Sequence, residues 1–228
     1  MRVRNPNVQM ILESHVREWF IKEKGKRERK RQPPITISRQ RGSGGLWIAQ
    51  RLSEKLGWPY YDKNIIKEIA HISGVDEKTV AFLDERDRDT FREFANIFSQ
   101  DRAVSQHEYV EHLKRFIGTL GKAGRTIIVG RGANFILPPN DALRVRLIGE
   151  PETCIRFAAR EYSLDEAEVA KLLPTWDREQ HTFIKRYFGE DITDPRHYDM
   201  VINITYVGLE GAVDLILSAY ARKFPRGL

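Results

Sequence analysis

Five short apolar runs, separated by stretches of helical periodicity, constrain the fold of this chain more than any other feature. The runs are Ile35 to Ile37, Pro59 to Tyr61, Thr126 to Val129, Leu143 to Ile148 and Met200 to Asn203. Helical segments are expected at Leu46 to Leu56, Lys63 to Ile72, Pro151 to Tyr162, Leu164 to Leu173, Asp177 to Tyr187 and Leu209 to Phe224. A longer helical insertion spans 76–121, with a break around Ser99 to Ser105. Strands joined through helices lie parallel, because parallel neighbours need crossover connections. The expected fold class is α/β: a five-stranded parallel sheet with helices on both faces, and ligands bound beyond the carboxyl ends of its strands.

At 228 residues and 41% hydrophobic content the chain can bury one full core with decoration. Residues 35–228 form the expected domain, and residues 1–34 precede it as an amphipathic helix and basic linker. In that leading part Val8, Ile11, Leu12, Val16, Phe20 and Ile21 make an apolar helical stripe, which docks on its own domain or on a second copy, the latter giving a homo-oligomer. No apolar run approaches the ~18 residues of a membrane span and no signal-peptide core is present, so a cytoplasmic protein without membrane contact is expected. Much of the formal charge of +6 sits between Arg17 and Arg31. No nucleic-acid-binding motif accompanies that run, so a solvated arm is preferred over a nucleic-acid partner. Cys154 is the single cysteine, excluding an internal disulfide, and is read as a packing residue. His107 and His112 are five apart and miss a shared helical face, so no zinc-type metal site is expected.

The first strand runs directly into a glycine turn and a helix, ITISRQRGSGGLWIAQRL from Ile35 to Leu52. Such a turn presents successive backbone N–H groups to one concavity, and the helix N-terminus behind it adds partial positive charge. Gly42, Ser43, Gly44 and Gly45 are therefore candidate phosphate-binding residues, flanked by Arg39 and Arg41. The pattern G-x-x-x-x-G-K-[ST] requires a lysine after its last glycine and then a hydroxyl for magnesium. Counted from Gly44, those places hold Gly45 and Leu46, and Trp47 follows. Arg39 or Arg41, and beyond them Lys63 or Arg131 after later strands, are the candidates for the lysine's role. Ser38 or Ser43 would have to supply any hydroxyl.

Several blocks, in order, resemble the cytidylate kinase-like branch of the P-loop nucleoside monophosphate kinases. ITISRQRGSGG followed by IAQRLSEKLGWPYYDKNII is similar to that family's loop, helix and second strand. IIVGRGANFILPPNDALRVRLIGEPETCIRFAARE is similar to its GRD-containing segment and the strand and helix that follow. DREQHTFIKRYFGEDITDPRHYDMVINI resembles its lid and last strand. The blocks cover roughly residues 35 to 224. The resemblance implies a P-loop NTPase fold with a lid-like region near 174–196, ATP as cofactor with magnesium, and nucleotides as partners. It further implies Arg131 at the acceptor phosphate, Asp62 and Lys63 near the substrate nucleoside, and Arg178, Lys185 and Arg186 in the lid as catalytic cations. The chain departs from the family pattern at Gly45, Trp47, Val129 and Gly132, and no carboxylate remains at the end of the third strand.

Three functions follow in order of preference. The first is a kinase phosphorylating CMP, dCMP or a related substrate from ATP, with arginines replacing the lysine. The second is a nucleotide-binding or regulatory module of the same fold that has lost transfer chemistry. The third is a nucleic-acid-associated protein using the basic arm.

Overall fold

The computed structural model describes residues 32–62 and 106–225. The expected N-terminal helix, the helix after Lys63 and the first part of the insertion lie outside the described residues. Isoleucine is the commonest strand residue, and with valine it suits a pleated, buried surface. Strand β1 is Ile35–Arg39, β2 Tyr60–Tyr61, β3 Ile127–Val129, β4 Leu143–Ile148 and β5 Met200–Asn203. They form a five-stranded sheet in the order β2-β3-β1-β4-β5, and every pairing is parallel. In the register, Ile37 faces Val129 on one side and Val145 on the other, and Ser38 faces Arg146.

The helices are α1 Gly45–Leu56, α2 Gln106–Ala123, α3 Ala133–Ile136, α4 Pro151–Tyr162, α5 Glu166–Phe188 and α6 Ile204–Lys223. Their ends follow local chemistry. Gly57 closes α1 in the left-handed region at φ 65°, its N–H donating to the Ser53 carbonyl. Asp165 opens α5 by accepting from the Ala167 N–H, and Asn203 opens α6 by accepting from Thr205. Helices α1 and α6 pack together, α1 over β3 and α6 over β4, while α3 packs on β1 and α2. One continuous core results, holding Ile35, Ile37, Ile48, Leu52, Phe116 and Ile127 with Val213, Ile216 and Tyr220.

Two expectations are revised. The two helices expected on either side of Pro174 are a single helix, α5, with Pro174 inside it. Proline removes one backbone hydrogen bond, but Val169, Leu173 and Ile184 give α5 a buried face that runs past it. The last helix begins at Ile204 rather than Leu209, with a break at Gly208, whose φ of 68° and ψ of 173° only glycine adopts readily. α6 is long and apolar enough by composition to cross a membrane. It is instead tied to the domain, with Ala212, Val213, Ile216 and Tyr220 buried and ion pairs from Glu210 and Asp214 to Arg51 and Lys55 on α1.

Candidate functional site

The loop from Gln40 to Gly44 is fixed from below. The Gln40 N–H donates to the Leu147 carbonyl at 2.9 Å, and the buried Ser43 hydroxyl donates to the carbonyls of Gln40 at 2.8 Å and Leu147 at 3.3 Å. Gly42 and Gly44 have φ of 74° and 68°. A side chain on Gly42 would overlap the carbonyl oxygen of Cys154, so the loop rests directly on the first turn of α4. The first amide satisfied within α1 is that of Ile48, bonded to the Gly44 carbonyl at 3.0 Å. Gly44 supplies no side-chain cap. The amides of Gly45, Leu46 and Trp47 therefore lack intrahelical acceptors, the arrangement that binds anions at helix N-termini.

Beside this turn, at the carboxyl ends of β1 and β3, lies a pocket of about 180 Å³ whose wall includes Arg39, Arg41, Arg131, Asn134 and Gln180. Water needs only about 10–15 Å³ of such space, so the pocket can take a polyatomic ligand. The side chain of Arg39 runs along Gly45 toward Gly130. No described residue hydrogen-bonds or ion-pairs with its guanidinium. Burial, then the neighbouring charges of Arg41 and Arg131, lower its pKa from 12.5 to about 10, so it stays cationic at neutral pH. Arg131 lies between Gly130 and Gly132 in a turn where all three have positive φ, 76°, 56° and 68°. A left-handed arginine costs roughly 1–2 kcal/mol, and this turn sets it on the pocket wall. The side-chain nitrogen of Asn134, a residue only 6% exposed, is a buried donor with no partner, on the same wall. Buried donors are nearly always paired in folded proteins, so this unpaired nitrogen, in a residue that lines the pocket, singles Asn134 out among the wall residues.

Helix α5 clamps the loop. The Gln180 side chain, oriented by its hydrogen bonds, donates to the Arg39 carbonyl at 2.9 Å and accepts from Arg41 Nε at 3.0 Å. Three residues earlier, on the same face, Asp177 accepts from Gln40 Nε2 at 3.3 Å and from the Arg41 N–H at 3.4 Å. Arg41 Nη1 also donates to the Tyr162 hydroxyl at 3.0 Å. Arg41 is thus held by neutral side-chain acceptors, with no carboxylate paired to its guanidinium among the described residues. Glu179 is the acidic residue on the pocket wall. Beneath the floor, Arg146, 7% exposed, donates to Ser38 Oγ at 2.9 Å and lies 5.7 Å from the Tyr198 ring centre.

Beyond this glycine turn, with its arginines at the strand ends and a helix closing over them, a family model matches residues 34–206, that of the Cytidylate kinase-like family. The chain belongs to that family. It is 25% identical over 195 residues to the cytidylate kinase of Sulfolobus acidocaldarius, across 83% of this chain and 94% of that protein. The structure of an uncharacterized protein from Eubacterium ventriosum shares the fold, with a TM-score of 0.62 at 22% identity, over 83% of this chain and 98% of the other. A gluconokinase from Sinorhizobium meliloti aligns with a TM-score of 0.47 at 15% identity, over 85% and 94% of the two chains.

The structure brings together some of the cytidylate kinase-like residues expected from sequence and separates others. Arg39, Arg41 and Arg131 share the pocket wall beside the turn of Gly42, Ser43, Gly44 and Gly45. Asp62 is buried just past the end of β2. Lys63 lies outside the described residues. Arg178 and Arg186 line a neighbouring groove on α5 with Thr175, Thr182 and Tyr187. Lys185 points elsewhere: its ammonium donates to the Gly189 carbonyl at 3.2 Å, closing the helix C-terminus. Asp199, just before β5, is at the opposite end of the sheet, binding Arg144 and Lys223. Cys154 is buried, and burial, then Asp177 and Glu150, push its thiol up to about 11, which leaves it unreactive at neutral pH.

Among the described residues, the donor set does not fit a protein-held magnesium ion. Leu46 occupies the hydroxyl position, both lone serines are committed to neighbours, and β3 ends in Val129 and Gly130. Among the described residues no group of three His, Cys, Asp or Glu could hold a metal ion. Sequence reasoning missed Asn134, Tyr162 and Gln180. Gln180 left one signal, its three-residue spacing from Asp177 in DREQ.

Proposed function

We propose that the protein is a nucleoside monophosphate kinase that phosphorylates CMP, dCMP or a related acceptor from ATP. Membership of the cytidylate kinase-like family supports the class. The observation that carries the reading is the pocket wall itself, where, among the described residues, Arg39 and Arg41 have no carboxylate partner and the buried Asn134 donor has no acceptor, and where Arg131 is held in strained backbone. Phosphoryl transfer needs little covalent chemistry from a protein beyond positioning and charge stabilisation, and this wall is built for both.

The donor's phosphates lie on the loop amides of Gly42 to Leu46 with Arg39 and Arg41, and the acceptor phosphate lies toward Arg131 and Asn134. An acceptor phosphate oxygen attacks the γ-phosphorus, the bond from that phosphorus to the β–γ bridging oxygen breaks, and ADP and the nucleoside diphosphate leave. The bridging and equatorial oxygens gain charge on the way, which fixed guanidinium groups stabilise without reorganising. Arg178 and Arg186 reach the same nucleotides from the α5 groove.

The test is turnover of ATP with CMP and dCMP, with product identification. ADP and CDP or dCDP are expected in equal amounts. ATP binding without turnover on any common monophosphate would instead establish the second reading, a nucleotide-binding module, which the missing hydroxyl at Leu46 and the missing carboxylates at Val129 and Gly132 favour.

A further inference from the structure

The reading above leaves open which group does the work of the missing lysine. Counting back from Gly44 on the pattern G-x-x-x-x-G-K, the opening glycine falls on Arg39 and the lysine on Gly45. The chain carries a cation where the pattern has glycine, and glycine where the pattern has the cation. The two substitutions meet in space. A Cβ built on Gly45 would stand 2.9 Å from Arg39 Cγ, 3.1 Å from its Cβ and 3.2 Å from its Cδ. A Cβ on Gly130 would stand 2.6 Å from Arg39 Nη1.

Gly130 also has a backbone reason to be glycine, at φ 76°. Gly45 has none: it is the first residue of α1 and its φ is not positive. Glycine in a helix is less favourable than alanine, so at position 45 the missing side chain is the useful property. What fills the space is the stem of Arg39. The guanidinium it carries ends beside Gly130, where a magnesium-organising carboxylate is lacking.

Resting on the polyphosphate reading, we propose that Arg39 is the phosphate-binding cation of this loop, exchanged with the lysine across positions 39 and 45. Its side chain passes through the space that Gly45 and Gly130 leave open. A planar guanidinium presents two parallel N–H donors, so from this position it binds two phosphate oxygens of a nucleoside triphosphate where an ammonium would bind as a point charge. On the same pocket wall stand two further cations, Arg41 and Arg131, against one acid, Glu179, and no described carboxylate ion-pairs with the Arg39 guanidinium, so an anion is the partner that fits it.

The test is a charge exchange in the full-length protein, read by ATP and CMP turnover and by calorimetric ATP binding. Arg39→Met is expected to lower kcat/KM by about 10²–10³-fold, the usual loss for one preorganised donor, while Arg39→Lys retains part of the activity. Gly45→Lys alone is expected to be impaired, because its stem meets that of Arg39. The double variant Arg39→Gly/Gly45→Lys is expected to exceed either Arg39→Gly or Gly45→Lys by about tenfold or more. Thermal denaturation of each variant confirms folding, and Arg39→Met should melt no lower than wild type. ATP binding by Arg39→Met equal to wild type, or a double variant no better than its single variants, would overturn the exchange. A wild type that neither binds nor consumes ATP would remove the polyphosphate reading, and the exchange with it.

Discussion

The two ends of the sheet treat charge in opposite ways. At one edge Asp199 gathers three hydrogen bonds, from the Arg144 N–H at 2.8 Å, Arg144 Nη2 at 3.3 Å and Lys223 Nζ at 2.6 Å. Lys223 also donates to the carbonyls of Pro139 and Ala142. Two cations share one carboxylate, and the network ties β4, β5 and α6 together. At the carboxyl ends of β1 and β3, Arg39 and Arg41 face Arg131 with no carboxylate on their guanidinium groups among the described residues. Paired charges help hold a fold together, whereas cations left without counter-ions cost stability and mark candidate binding sites. The first cluster reads as structural, and the second is the site we propose.

Substitutions should therefore separate the two regions by what they damage. Arg131→Gly is expected to lower kcat/KM by about 10²-fold. The same change should raise stability by about 1 kcal/mol, because glycine relieves the left-handed strain at φ 56°. Loss of both activity and stability would place Arg131 in the framework instead. Asp199→Ala should do the reverse, costing about 1–3 kcal/mol by denaturant titration with KM for ATP unchanged.

The acid limb of the stability curve gives a smaller signal of the same division. Burial alone would raise the Asp199 pKa, but hydrogen bonds from Lys223 and Arg144 overcome it and hold the carboxyl below its ordinary 3.8. Its contribution is present above that ordinary value and is lost as pH falls through the lower folded one. Melting temperature measured downward from pH 5 should fall less steeply in Asp199→Asn than in wild type. Parallel slopes would show that the network does not carry this pH dependence. Smallest of all, Tyr162→Phe removes one neutral acceptor from Arg41 and should raise KM for ATP by about two- to tenfold, with kcat close to wild type.

The division between these regions was only half legible in the sequence. The strand runs, their order and the glycine turn follow from residue pattern, so the α/β fold could be read before any contact was known. The same pattern broke α5 at Pro174, because local propensity does not register a buried face that continues from Leu173 to Ile184. Arg39 and Arg41 were legible as cations near a phosphate loop. The direction taken by Arg39 was not, since it depends on Gly130, which sits beside it only after β3 has paired with β1. The framework role of Asp199 was not legible. Its partners Arg144 and Lys223 lie 55 and 24 residues away, a separation at which sequence spacing says nothing about contact. Lys185 shared the lid's basic helix, yet its position in the last turn before Gly189 was a capping signal of its own.

The most direct test of the uncompensated site is thermal denaturation of wild type and Arg39→Met, each with and without saturating ATP. A cation crowded by Arg41 and Arg131 destabilises the free protein, and a ligand that binds the folded state raises its melting temperature. The account predicts a crossing: without ATP the variant melts at or above wild type, and with ATP wild type melts higher. A variant less stable than wild type without ATP, or an equal ATP shift in both proteins, would contradict it.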